Sequence, residues 1–292
     1  MSLYHTTVDP HAPNDSHALM LDLIGRADRV LDVGCATGFL AEALQRRGAT
    51  VSGVEFDAEA GRRALPFLDK LVVGDLDSLD LAREFAPAMF DVVVFGDVLE
   101  HLKDPLAALG QARALLAPGG AIVVSIPNVA HGSVRLALLQ GRWDYRDIGL
   151  LDRTHIRFFT RSTLLALLRD AGLVAVDVRR TTVDPLGAEI PVDSTRLPSG
   201  VLDWLRREPD ADTYQFVLRA VRDDDDGARE AIVAAARRDA DRVLELERQV
   251  AEDRESREEL ERRLESVLGS RSYRALALPR RAYGRIRRSL GR

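Results

Sequence analysis

The chain has 292 residues, 46% of them hydrophobic and 30% charged, a balance that excludes a disordered polymer and suits one α/β domain with an accessory segment. No apolar run reaches the length of a membrane span, the first 20 residues contain no apolar signal core, and the lone Cys35 excludes an intrachain disulfide or a multi-cysteine metal site, so a cytoplasmic protein is expected. The net charge of −5 divides into +8 on Ser270–Arg292, which holds eight Arg and no acid, and −13 on the remainder, and an acidic body argues against nucleic acid as the partner.

Residues 1–26 read as an N-terminal cap segment, and residues 27–222 as a single domain of alternating strands and helices. The predicted strands are Arg29–Val33, Thr50–Val54, Lys70–Val73, Phe90–Phe95 and Ala121–Ser125, several apolar on both faces, as in a parallel sheet covered on both sides. Between them Phe39–Arg47, Ala58–Leu65 and Pro105–Leu116 carry helical periodicity, the last ending at Pro118-Gly119-Gly120. Repeated βα units of this kind build a doubly wound sheet. Residues 128–160 then break the rhythm. They hold one predicted helix, Ser133–Gln140, and a stretch rich in Arg, Asp and aromatics, and such an insertion would face the substrate beyond the strand ends. A helix over Thr163–Ala171, strands over Leu173–Arg179 and Thr213–Val221, and a short helix around Leu202–Arg206 complete the domain.

An acidic linker, 223–227, leads into a period of seven over 228–268. Val243, Val250 and Leu264 fall on one core position and Leu246, Leu260 and Val267 on the other, which predicts a coiled coil and a homodimer through it; the plainer reading is one solvated helix laced with ion pairs. Residues 269–292 form a basic tail in which Arg alternates with Tyr, Leu and Ile, fit to rest on an anionic membrane face or an acidic partner.

The most informative stretch runs from Val30 to Leu40, a strand, a glycine turn and a helix start in the order Asp32-x-Gly34-x-x-x-Gly38. Gly34 allows a sharp turn and close backbone approach, and the helix that follows presents free N–H groups there. Glu55 ends the second strand 21 residues later, the separation at which a carboxylate reaches ribose hydroxyls in a nucleoside-binding βαβ unit. The G-x-G-x-x-G spacing of a dinucleotide site is absent, and Asp32 before the turn would repel a pyrophosphate. A ligand that is adenosyl, cationic and free of phosphate fits better than NAD. S-adenosylmethionine (SAM) has those properties.

The stretches VLDVGCATGFLAEAL, GVEFD, VVGDLDSL, FDVVVFGDVLEHLKDP and LLAPGGAIVVSIPN lie in order across about residues 25–130. Together they resemble the class I SAM-dependent methyltransferases, closest to the small-molecule group that includes quinone-biosynthesis enzymes. The resemblance implies a Rossmann-like seven-stranded doubly wound α/β sheet with an antiparallel last strand. It also implies that Asp32, Gly34 and the Cys35, Ala36, Gly38 turn hold the methionine part of SAM, with Ala36 where the family often has glycine. Glu55 would take the ribose hydroxyls, Phe56 would pack on adenine, and Asp75 with Leu76 would meet the purine edge. Gly96 would bring the fourth strand against the cofactor.

Methyl transfer to a hydroxyl benefits from a base, and histidine is best tuned for it. His101, just after the fourth strand, and His155, in the insertion, rank equal as candidates, with His131 third. No ligands spaced for a metal are seen. Arg135, Arg142, Arg153 and Arg157 could bind an anionic group, or form a solvated face with rim salt bridges. The run from Asn128 to Thr160 resembles a subgroup associated with glycans and glycosylated metabolites, which points to a small-molecule or saccharide acceptor. The competing reading is a scaffold that binds SAM weakly and recruits partners through its C-terminal helix and tail.

Overall fold

The computed structural model describes residues 12–223 together with Arg248, Arg254, Arg257, Leu260, Arg262 and Arg263. Apart from those six residues, the predicted coiled coil of 228–268 lies outside the described residues, as does the basic tail of 269–292. The chain divides into two compact units, Met1–Val233 and Ala234–Arg292, and the first carries the fold below.

Seven strands form one sheet: β1 Arg29–Val33, β2 Thr50–Glu55, β3 Lys70–Val73, β4 Phe90–Gly96, β5 Leu116–Pro127, β6 Leu173–Thr182 and β7 Thr213–Arg222. Their order is β3-β2-β1-β4-β5-β7-β6, with β7 antiparallel to both neighbours. This is the Rossmann-like doubly wound sheet with the antiparallel last strand. The helices are α1 Ser16–Ile24, α2 Phe39–Arg46, α3 Ala58–Ala64, α4 Leu81–Phe85, α5 Pro105–Ala114, α6 Gly132–Leu139, α7 Arg161–Asp170 and α8 Val201–Leu205.

Alternation along the central strands divides the core in two. Val92 and Val94 of β4, Val30 of β1 and Val217 of β7 pack with Met20 and Leu21 of α1 and Leu40 and Leu44 of α2. Val93, Phe95, Leu31 and Phe216 point the other way, onto Leu109 of α5 and Leu164 and Leu168 of α7. Because both faces are covered, the strands are apolar at nearly every position, which is why the sequence shows runs rather than alternation.

Two helices went unread in the sequence. In α1 the apolar residues Met20, Leu21, Leu23 and Ile24 crowd the C-terminal half, Asp15 caps the start, and the helix lies on the sheet. The five-residue α4, capped by Asp80, is too short to show a period. The boundary at Pro118-Gly119-Gly120 also differs. The helix α5 stops at Ala114 and β5 already begins at Leu116, pairing with Phe90 before the Pro-Gly-Gly bulges out and pairing resumes at Val92↔Ala121. A Cβ on Gly120 would stand 3.0 Å from the Phe90 carbonyl, so the bulge needs glycine there, and a breaker signal marked an irregular strand rather than a helix end. Among the described residues no helix is long and apolar enough to cross a membrane.

The insertion is anchored over the carboxyl ends of β4 and β5. Asn128 pairs with Phe159 as an isolated bridge, and the backbone N–H groups of Ile156 and Arg157 both donate to the Glu100 carbonyl at 3.0 Å.

Candidate active site

The turn after β1 is built for close approach. Gly34 has φ 81°, and a Cβ there would lie 2.4 Å from Val98 Cγ2 at the end of β4. Gly34 and Cys35 N–H both donate to the Val54 carbonyl, at 2.8 and 3.0 Å. Cys35 turns its side chain inward, against the face of Gly53, where any Cβ would meet its sulfur at 2.8 Å. The thiol is thereby buried and pushed well up, and what the turn offers a ligand is backbone. Ala36 holds φ 47°, a left-handed conformation that costs a non-glycine residue about 1 kcal/mol or more. Ala36→Gly is therefore expected to raise stability by about 1 kcal/mol, read as a higher urea midpoint at unchanged slope. A lower midpoint would mean that the alanine is unstrained.

Two carboxylates face this turn. Asp32 is 3% exposed and its Oδ2 has no hydrogen-bond partner. Burial, and then the charge of Glu55, push its carboxyl up to about 7. Glu55 accepts from Ala36 N–H at 2.8 Å and from Asp57 N–H at 2.9 Å. A buried carboxylate oxygen without a donor is costly unless a ligand supplies the charge or the hydrogen, and a ligand ammonium does both. Beside them the Phe56 ring is 75% exposed, a free apolar face next to Glu55. Asp75 closes an Asx turn onto Asp77 N–H at 3.0 Å, with Leu76 half-buried against the core. Gly96 lies under α1, where a Cβ would touch Met20 Cε at 3.4 Å. The predicted set thus gathers along the ends of β1 to β4, and its orphaned acid suits a cationic, phosphate-free nucleoside.

A second group forms where β4 ends. Asp97 sits at φ 54°, its carboxylate held by Ser125 Oγ at 2.8 Å and by Gln215 Nε2 at 2.9 and 3.1 Å. The next turn, Leu99–His101, places Glu100 and His101 side by side. His101 Nδ1 lies 3.1 Å from the Thr154 carbonyl. A carbonyl only accepts, so Nδ1 carries the proton and Nε2 keeps its lone pair. The His155 ring packs edge-on against His101 at 4.9 Å, and its Nε2 is 4.0 Å from Glu100 Oε1. Glu100 is 2% exposed with neither oxygen bonded, and burial raises its carboxyl well above the usual range, as Asp97 and Asp152 do further. Burial, and then His101, hold His155 below the ordinary imidazole range. The cluster is a place where a proton can be received and kept. Its ligand atoms lie within 4.8 Å of one another, so it could also gather a divalent cation. The sequence reading named no metal ligands, because the set is completed only when the insertion brings His155 back to Glu100-His101. Glu100 went unsingled for the same reason; His17 of α1, not singled out either, stands edge-on to Phe39 at 4.8 Å, its buried Nδ1 3.7 Å from Asp15 Oδ1.

His131 is placed differently. It is fully buried as the cap of α6, its Nδ1 accepting from Ser133 N–H at 3.2 Å and its Nε2 donating to the Val183 carbonyl at 2.9 Å. With both nitrogens committed it has no lone pair for an acceptor. The four arginines singled out in the insertion are committed as well. Arg135 donates to the Pro209 carbonyl at 3.2 Å, Arg142 to Pro191 at 2.7 Å and to Asp144, Arg153 pairs with Asp147 at 2.8 Å, and Arg157 reaches the Lys103 carbonyl at 2.6 Å. They pin the insertion instead of facing an anion.

Residues 7–178 match the family described as Methyltransferase domain. The ubiquinone biosynthesis O-methyltransferase of Paraburkholderia phymatum is 32% identical over 185 residues, which cover 62% of this chain and 77% of that one. Its counterpart from Xylella fastidiosa is 33% identical over 189 residues, 61% of this chain and 77% of the other. Among solved structures, a SAM-dependent methyltransferase from Archaeoglobus fulgidus shares the fold with a TM-score of 0.50 and 16% identity, over 70% of this chain and 94% of that one.

Proposed function

The chain belongs to the methyltransferase family, and from that premise we propose that it transfers the methyl group of SAM to a hydroxyl of a small-molecule acceptor, with His101 as the base. The observation that carries the choice of base is the Thr154 carbonyl on His101 Nδ1, which leaves Nε2 as the proton acceptor at the end of β4. Bound SAM supplies a methyl carbon already activated by its sulfonium. Asp32 would meet its ammonium, Glu55 its ribose hydroxyls, and Phe56 and Asp75 its adenine. The insertion shields the reacting atoms from water, and His101 Nε2 takes the acceptor proton, with Glu100 and His155 packed beside it. The family membership and the intact acid pair weigh against the scaffold reading.

For the acceptor we favour a saccharide-bearing hydroxyl, on the polar insertion and its likeness to the glycan-associated subgroup. The names of the two relatives favour a quinol or phenol instead. Purified protein incubated with SAM and a panel of nucleotide sugars and catechols should release S-adenosylhomocysteine (SAH) with one class only. Release with catechols alone makes the quinol reading the right one, and release with neither removes the hydroxyl assignment.

Asp32 gives this reading a pH signature. Its folded pKa, about 7, lies above the unfolded value of 3.8, so the stability linked to it is full below pH 4 and is lost as pH rises through 7. A cationic ligand reverses the preference, since only the ionised carboxylate pairs with it. SAH is therefore expected to bind with proton release, and its Kd to rise about tenfold for each unit of pH below 7. Calorimetry in two buffers of different ionisation enthalpy measures the proton directly; a Kd flat from pH 8 to 6 would remove Asp32 from the ammonium site.

A further inference from the structure

Four of the five arginines in residues 128–160 are tied to carbonyls or carboxylates, and the fifth is not. Arg146 is half-buried, its Nε is shut off from solvent with no hydrogen-bond partner, and among the described residues no carboxylate pairs with its guanidinium. A cationic fork held partly out of water without an acceptor is an expensive arrangement unless something else completes it.

The backbone fixes which way it faces. Arg146 and Asp152 form a parallel bridge, with Arg146 N–H donating to the Leu151 carbonyl and Arg153 N–H to the Arg146 carbonyl, both at 2.9 Å. Bridge partners project to the same side of the ladder. Asp152 is 5% exposed and its carboxylate lies near enough to Glu100 and His155 to act on both. Arg146 therefore shares with Asp152 the side of this loop that turns toward the Glu100, His101 and His155 group. No ion pair joins it to Asp152, whose Oδ1 instead accepts from Thr154 N–H at 2.8 Å and Thr154 Oγ1 at 2.6 Å. An unpaired guanidinium on the acceptor side, with every neighbouring arginine already occupied, is what recognition of a planar anion requires.

We propose that Arg146 binds an anionic group, a phosphate or a carboxylate, carried by the acceptor away from the hydroxyl to be methylated. This rests on the acceptor site lying at the histidine pair and sharpens its substrate class, since a neutral quinol would leave Arg146 unsatisfied.

The test uses the full chain saturated with SAH, titrated calorimetrically at low ionic strength with inorganic pyrophosphate and, separately, with malonate. The parent, Arg146→Met and Arg153→Met are compared, the last removing an equal charge from a residue paired with Asp147. The expected result is binding in the parent and in Arg153→Met, weakened at least about tenfold in Arg146→Met, with SAH affinity the same in all three. The basic tail is present in every sample and cancels in the comparison. Dependence on Arg146 with pyrophosphate but not malonate identifies a phosphate, and the converse a carboxylate. Equal binding in the parent and Arg146→Met, or no binding of either anion, overturns the proposal. If Arg146→Met does not fold, Arg146→Lys keeps the charge and loses the fork, and several-fold weaker pyrophosphate binding is expected of it; unchanged binding counts against the proposal. Failure of the parent to bind SAH is a separate outcome that touches the methyltransferase reading and not this one.

Discussion

His101→Ala is expected to bind SAH as tightly as the parent and to turn over at least about 100-fold more slowly. The separation follows from position: His101 follows β4 and touches the insertion through Thr154, while the Asp32 and Glu55 cradle lies at the ends of β1 and β2. His101→Gln should lose as much, because an amide cannot take the proton. His155→Ala should lose less, since its Nε2 stands 4.0 Å from Glu100 and acts through it. Calorimetry with SAH and a timed assay of SAH release read the two quantities. Turnover within a few-fold of the parent in His101→Ala sinks the assignment. The same assay after treatment with EDTA decides what the cluster holds: unchanged turnover supports a proton, and loss restored by magnesium supports a cation on the same three side chains.

Gly34→Ala is the substitution expected to damage the fold most. The new Cβ would meet Val98 Cγ2 at 2.4 Å, and an alanine at φ 81° is strained even in open space. Together the contact and the dihedral should cost about 3 kcal/mol or more. A double-mutant cycle separates them. In a Val98→Ala background the contact disappears and the dihedral penalty stays, so the two substitutions should couple by about 1–2 kcal/mol in urea unfolding. A coupling near zero would show that Val98 is not what confines the turn. SAH binding should fall in Gly34→Ala and stay low in the double variant, since the turn presents its backbone to the ligand.

Sequence reading located groups whose placement depends on neighbours along the chain. Asp32, Gly34 and Gly38 flank one turn, Glu55 ends the adjacent strand, and the apolar runs that mark a sheet covered on both faces are local signals. It failed where a role depends on chain segments about 50 residues apart. His131 stands in a motif like those of His101 and His155, yet it caps α6 with both nitrogens engaged, and nothing before residue 183 announces the carbonyl that takes its proton. Glu100 stands in the sequence as one acid after the fourth strand, although it is the most deeply buried carboxylate beside the histidines. The arginines of the insertion show the same limit. Composition marked the segment as rich in arginine, and only the hydrogen bonds tell four supporting residues from Arg146.

The Glu100 carbonyl that receives the Ile156 and Arg157 N–H groups belongs to the residue whose carboxylate completes the histidine cluster. On the proposed reading, the group that handles the proton and the segment that faces the acceptor meet at a single peptide unit. Relatives that exchange this segment wholesale, whether by recombination or in the laboratory, would import a new acceptor preference and disturb the proton-handling group in one stroke. Chimeras should tolerate such a graft only when residues 97–101 travel with it, which makes that pair of segments, and not the insertion alone, the unit of inheritance.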